Sequence, residues 1–192
     1  MKKILLALFL AALFFVQAAF AEDSGSTPTA TPTPSLSPQE YTYATATSNA
    51  LGLTILYPSH WENLPGRYTV CFREPVEDGD IPARFAITYK ELSKKPDEDA
   101  LESQLYAYLT AILIDHYDSY ECSTLLTDLQ FLGKTGVGCI YKGFKGEQVV
   151  RGYVVISAVG TTAYAYHFSC DENDYSSMES VMTHIMNGAK TS

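Results

Sequence analysis

From residue 41 onward the apolar and polar positions alternate, and the period of that alternation then changes from two to about 3.6 and back. In "YTYATATS", Tyr41, Tyr43, Thr45 and Thr47 alternate with small residues, and "LTILY" follows across a turn at residues 49–52. Period-two patterning on both sides of a turn predicts a β-hairpin. A third strand is expected in "RYTVCF", residues 67–72, and a fourth in "ARFAITYK", where Phe85, Ile87 and Tyr89 alternate with Arg84, Thr88 and Lys90. The spacing then lengthens: Leu101, Leu105, Tyr108, Leu109 and Ile112 recur at three- and four-residue steps behind Pro96 and the acids Asp97, Glu98 and Asp99. This predicts an amphipathic helix of about five turns with its acids at the positive end of the helix dipole.

Beyond Cys122 the pattern returns to strands in "LLTDLQFL", "TGVGCIYKGF", "QVVRGYVVISAV" and "TTAYAYHFSC", separated by glycine-containing turns. A four-stranded antiparallel meander is expected. The last element begins near Ser176, which forms a capping-box pattern with Glu179, and carries Met178, Val181, Met182, Ile185 and Met186 on one face. Asn187-Gly188 is expected to cap its C-terminus. Segregated strands and helices imply an α+β domain: an antiparallel sheet of about six to eight strands packed with two main amphipathic helices on one or both faces.

The N-terminal residues add a compartment. Lys2 and Lys3 precede an apolar run over residues 4–16, and Ala19-Phe20-Ala21 fits a small-x-small cleavage site. Residues 1–21 therefore read as a signal peptide, too short for the roughly 18 to 20 residues of a retained membrane span. Residues 22–40 are rich in Ser, Thr and Pro, the composition of an extended linker. Residues 41–190 are left for one domain, secreted or otherwise extracytoplasmic.

Removing Lys2 and Lys3 and no acid takes the formal charge from −9 to −11, which argues against nucleic acid as a partner. The acidic runs at residues 77–80, 97–99 and 171–174 lack the ligand order of a calcium loop and read as solvated turns and helix starts. Cys71, Cys122, Cys139 and Cys170 are too widely spaced for a CxxC motif. An even number in an exported domain suggests two disulfides, with three connectivities open and free thiols the alternative in a weakly oxidising host. Cys122 and Cys170 flank loops that a meander brings to one end of the sheet, which would leave Cys71 with Cys139.

The segment "LGLTILYPSHW" resembles the entry of the PsbP-like fold, in which a Gly and an apolar-Thr-Ile strand lead into Tyr-Pro-x-x-Trp. The matching residues are Gly52, Leu53, Thr54, Ile55, Tyr57, Pro58 and Trp61, and the late strands and terminal helix are similar to that family's C-terminal half. The resemblance spans most of residues 41–188. It implies an α/β/α sandwich and transmits no single function, because its members range from a photosystem II subunit to Ran-binding Mog-type proteins. On physical grounds Pro58 should end its strand, and Trp61 should fold back as an apolar plug.

Candidate chemistry is sparse. Ser59-His60 are neighbours without a GxSxG elbow, and adjacency alone does not build a nucleophile with its base and oxyanion hole. "GKTGVG", residues 133–138, lacks the earlier Gly of a phosphate loop and joins two strands, so it reads as a hairpin turn. His60, His116, His167 and His184 show no metal-ligand spacing, and His116 continues the apolar face of the first helix. Tyr41, Tyr43, Tyr164, Tyr166 and His167 are the candidates for a stacking surface that binds a glycan or partner. The expectation is a non-enzymatic binding or structural domain for a protein, envelope component or small ligand, without cofactor. A secreted hydrolase or metal-dependent enzyme with a site assembled in three dimensions is the alternative.

Overall fold

The computed structural model describes residues 41–64, 66 and 68–192; the expected signal peptide (1–21) and linker (22–40) lie outside the described residues, as does Arg67. The elements in chain order are β1 (Tyr43–Ser48), β2 (Leu53–Pro58), β3 (Glu62–Asn63), β4 (Thr69–Arg73), β5 (Arg84–Glu91), α1 (Glu98–His116), β6 (Ser119–Cys122), β7 (Leu126–Phe131), β8 (Lys134–Lys145), β9 (Gln148–Val159), β10 (Thr162–Asp171), α2 (Tyr175–Gly188) and β11 (Lys190–Thr191). The α+β class and the four-stranded meander β7–β10 are as expected.

The first hairpin does not join the main sheet. β1 and β2 form a small three-stranded sheet with β11, while the other eight strands form one antiparallel sheet in the order β3-β4-β5-β10-β9-β8-β6, with β7 also on β8. β8 holds two partners on one edge because it is long: β7 pairs with its first half and β6 with its second.

Alternation along β10 sends side chains to two separate cores. Tyr164, Tyr166, Phe168 and Cys170 join α2 and the small sheet in one cluster, with Phe72, Phe85 and Ile185 fully buried. Ala163 and Ala165 face the other way, into a smaller cluster under α1. The two helices thus cover opposite faces of the large sheet. α1 contributes one row, Leu101, Leu105, Leu109 and Leu113, four residues apart. Each buried leucine is worth about 1.5–3 kcal/mol relative to an exposed one. The row is narrower than an amphipathic stripe, because Tyr106 and Ile114 are exposed on the outer side. His116 is also exposed, and it continues the flank of α1 that carries Ile112 and faces Tyr141 and His167.

The helix ends differ in how they match expectation. Asp97 caps α1, its carboxylate accepting from the Ala100 N–H at 3.0 Å. α2 begins at Tyr175 behind Asp174, and no side chain caps its N-terminus, so Ser176 and Glu179 both lie inside the helix and form no capping box. Gly188 ends α2 without a left-handed residue; a Cβ there would approach Leu56 Cβ to 2.7 Å. Its smallness serves packing of the helix end on β2.

Candidate functional site

α1 packs on β8 and β9 and leaves the same face of β5 and β10 only partly covered. Under the helix the strands carry Val137, Cys139, Tyr141, Val154 and Ile156. Beside it they carry Ala86, Thr88, Ala163 and Ala165, paired across β5 and β10 as Ala86↔His167, Thr88↔Ala165 and Lys90↔Ala163. The fall in side-chain size produces a trough along the flank of α1. It holds two depressions, of about 220 Å³ around Thr88, Ala163, Ala165 and Gln104, and of about 130 Å³ around Cys71, Arg84, Ala86 and His116. Lys90 Nζ donates to Gln104 Oε1 at 2.9 Å near one end, and Arg84 stands at the other.

Tyr108 descends from α1 between the depressions to His167. The buried imidazole has its Nε2 2.8 Å from Tyr141 Oη and its Nδ1 3.4 Å from Tyr108 Oη. One ring nitrogen donates and the other accepts, and the two phenols take the complementary roles. Burial, with smaller contributions from the Arg84 and His116 charges, holds the His167 pKa down to about 3. The same burial pushes Tyr108 up to about 12 and Tyr141 further. All three are neutral at physiological pH, so they position α1 and offer no proton-transfer group there. Gly152 makes the arrangement fit, since a Cβ at that position would overlap the Tyr141 ring.

The five residues proposed as one stacking surface are dispersed. Tyr164 donates its hydroxyl to Leu51 O and Tyr166 to Met182 O, both at 3.0 Å inside the α2-side core. His167 faces the opposite side of the sheet. Tyr41 stacks on His60 and Tyr43 packs on His184 near the small sheet. Ser59 Oγ is 2.6 Å from Thr42 Oγ1, and its His60 neighbour is engaged with Tyr41, so no nucleophile–base pair forms there. Residues 132–133 are the turn between β7 and β8, both with positive φ, in keeping with the hairpin reading. Among the described residues no group of three or more His, Cys, Asp or Glu could hold a metal ion.

No protein-family model and no curated protein sequence matches the chain. Solved structures do. The chain resembles the cyanobacterial PsbP (CyanoP) of Synechocystis sp. PCC 6803 with a TM-score of 0.58 at 13% identity, covering 80% of this chain and 94% of that one. It has the PsbP/Mog fold. The Saccharomyces cerevisiae Ran-binding protein Mog1p superposes with a TM-score of 0.53 at 11% identity over 79% and 96% of the two chains. LpqN of Mycobacterium tuberculosis, described as involved in cell envelope biogenesis, does so with 0.52 at 12% identity over 78% and 90%.

Within this fold the entry motif is structural. Gly52 takes φ +62° in the β1–β2 turn, and Pro58 is the last residue of β2. The Trp61 backbone N–H donates to Pro58 O at 2.9 Å, and the indole folds back to within 6.1 Å of the Phe85 ring and 6.4 Å of Phe168, centroid to centroid. Trp61 is buried there, as a plug should be.

None of the four cysteines is joined in a disulfide in this structure. The expected pairings do not meet: Cys170 faces α2 whereas Cys122, opposite Tyr141, faces α1, and Cys71 on β4 is four strand steps from Cys139 on β8. At about 4.8 Å per step that is roughly 19 Å, far beyond a disulfide. Arg84 and Tyr108 were read from the sequence only as strand and helix positions and Tyr141 only as part of a strand, so none was a site candidate. Their signal was the Ala163-x-Ala165-x-His167 alternation, small residues on a face that a helix does not fill.

Proposed function

We propose that the protein is an exported, non-enzymatic binding domain that takes a small ligand or a segment of a partner in the trough beside α1. The observation that carries this is the uncovered half-face of β5 and β10, floored by small side chains and bounded by Arg84 and Lys90. The export half of the reading is supported by the signal-peptide pattern of residues 1–21. That one protein of this fold is described as Ran-binding and another as involved in cell envelope biogenesis supports binding as the activity and the envelope as its setting.

The test is an amide-resolved NMR titration with soluble envelope glycans and peptidoglycan fragments. Shifts should cluster at Thr88, Ala107, Tyr108 and Ala165, and Thr88→Trp should abolish them while the circular dichroism spectrum stays that of the folded domain. Shifts confined to the α2 side, or turnover of the added glycan, would overturn the proposal.

A further inference from the structure

We propose that Cys122 and Cys139 are the two halves of an intrachain disulfide that ties the edge strand β6 to β8. Cys122 lies opposite Tyr141 in the β6–β8 register, so Cys139, two residues away on β8, is its diagonal neighbour on the same face. The Cys139 thiol leans toward β6, with Sγ 3.7 Å from Ser123 Oγ and 3.8 Å from Ser123 O. The two thiols also sense each other: burial is the first cause that pushes Cys122 up to about 11, and the charge and hydrogen bond of Cys139 are the next. Tyr106, on α1, feels both.

Diagonal positions on antiparallel strands are about 7–8 Å apart, just beyond the usual disulfide range of about 4.4–6.8 Å between Cα atoms. The bond therefore draws β6 inward. Such a shift is available to β6, a four-residue strand with every residue exposed, which lies at the end of the sheet order and pairs with β8 alone. Cys71 and Cys170 have no comparable partner: Cys71, opposite Ala86, is on the α1 side and four strand steps from β8, and Cys170 faces α2.

The oxidant is a small-molecule disulfide. The Cys122 thiolate, the accessible one, attacks it to give a mixed disulfide and releases one thiol. Cys139, losing its proton, displaces the second thiol and closes the ring. Two cysteines together lose two electrons and two protons, and one disulfide becomes two thiols. Accumulation of the bond in the cell rests on the proposed export; its formation in purified protein does not, so the two readings fail separately.

The purified, reduced chain is incubated with oxidised glutathione at pH 8.5 and digested with trypsin without reductant. The peptide 135–142, which holds Cys139, should appear joined to the peptide holding Cys122, and the oxidised chain should unfold several degrees higher than the reduced one. Cys122→Ser, at an exposed position, should remove both effects and leave the reduced midpoint unchanged. Four free thiols, glutathione adducts alone, or a link through Cys71 or Cys170 would each overturn the proposal.

Discussion

Tyr141 and Tyr108 grip His167 from β8 and α1, and Arg84 on β5 and His116 on α1 add positive charge nearby. Burial above all, with those charges adding to it, gives the folded imidazole a pKa of about 3 against about 6.5 in the unfolded chain. Between these values the unfolded state binds the extra proton. The contribution of His167 to stability is complete above about pH 6.5 and is lost toward pH 3, by up to about 1.4 kcal/mol per pH unit. The His167 ring resonance should not titrate between pH 7 and 4.5, and a midpoint near the ordinary histidine value would refute the buried network. Tyr141→Phe leaves the ring nitrogen unpaired and should cost about 1–3 kcal/mol in urea unfolding at pH 7. Sequence reading placed His167 at a binding surface because a polar residue at the end of an aromatic strand resembles one. Its partners stand 26 and 59 positions away, and only the fold brings them together.

α1 was legible as an element from its leucine spacing and its acidic start. The Asp97 cap is expected to contribute about 1 kcal/mol, so Asp97→Ala should lower the urea midpoint without changing the slope of the transition. The meander was equally legible, because its glycine turns interrupt long alternating runs. β3 and β11 were not, since two-residue strands carry no period and exist only through the partners they meet. The same limit hid the division into two sheets. Alternation says which residues share a face and is silent about which strands share an edge. α2 adds a case in which a local signal misleads: Ser176 and Glu179 have capping-box spacing, yet Asp174 accepts the first turn's bonds through its backbone oxygen, with Met178 N donating at 3.0 Å.

At the scale of the molecule, α1 over half a sheet and α2 with the small sheet over the other face explain why one side is a full core and the other a partly open one. The trough follows from helix placement rather than from any motif, which is why residue chemistry alone did not reveal it. The small sheet has a further consequence. β1 starts with Tyr43 opposite Pro58, and β11 ends with Thr191 opposite Leu53, so both ends of the domain flank the same strand, β2. Five residues along β2 and two strand spacings across it place them about 20 Å apart. A linker of about eight residues spans that distance. Joined in this way and reopened in the exposed turn at Gly146, a circular permutant should retain the unfolding midpoint of the parent domain, as circular dichroism can establish. A marked loss would show that the order of assembly, β1 before the meander, matters to the fold, and retention would make this domain an insertable cassette.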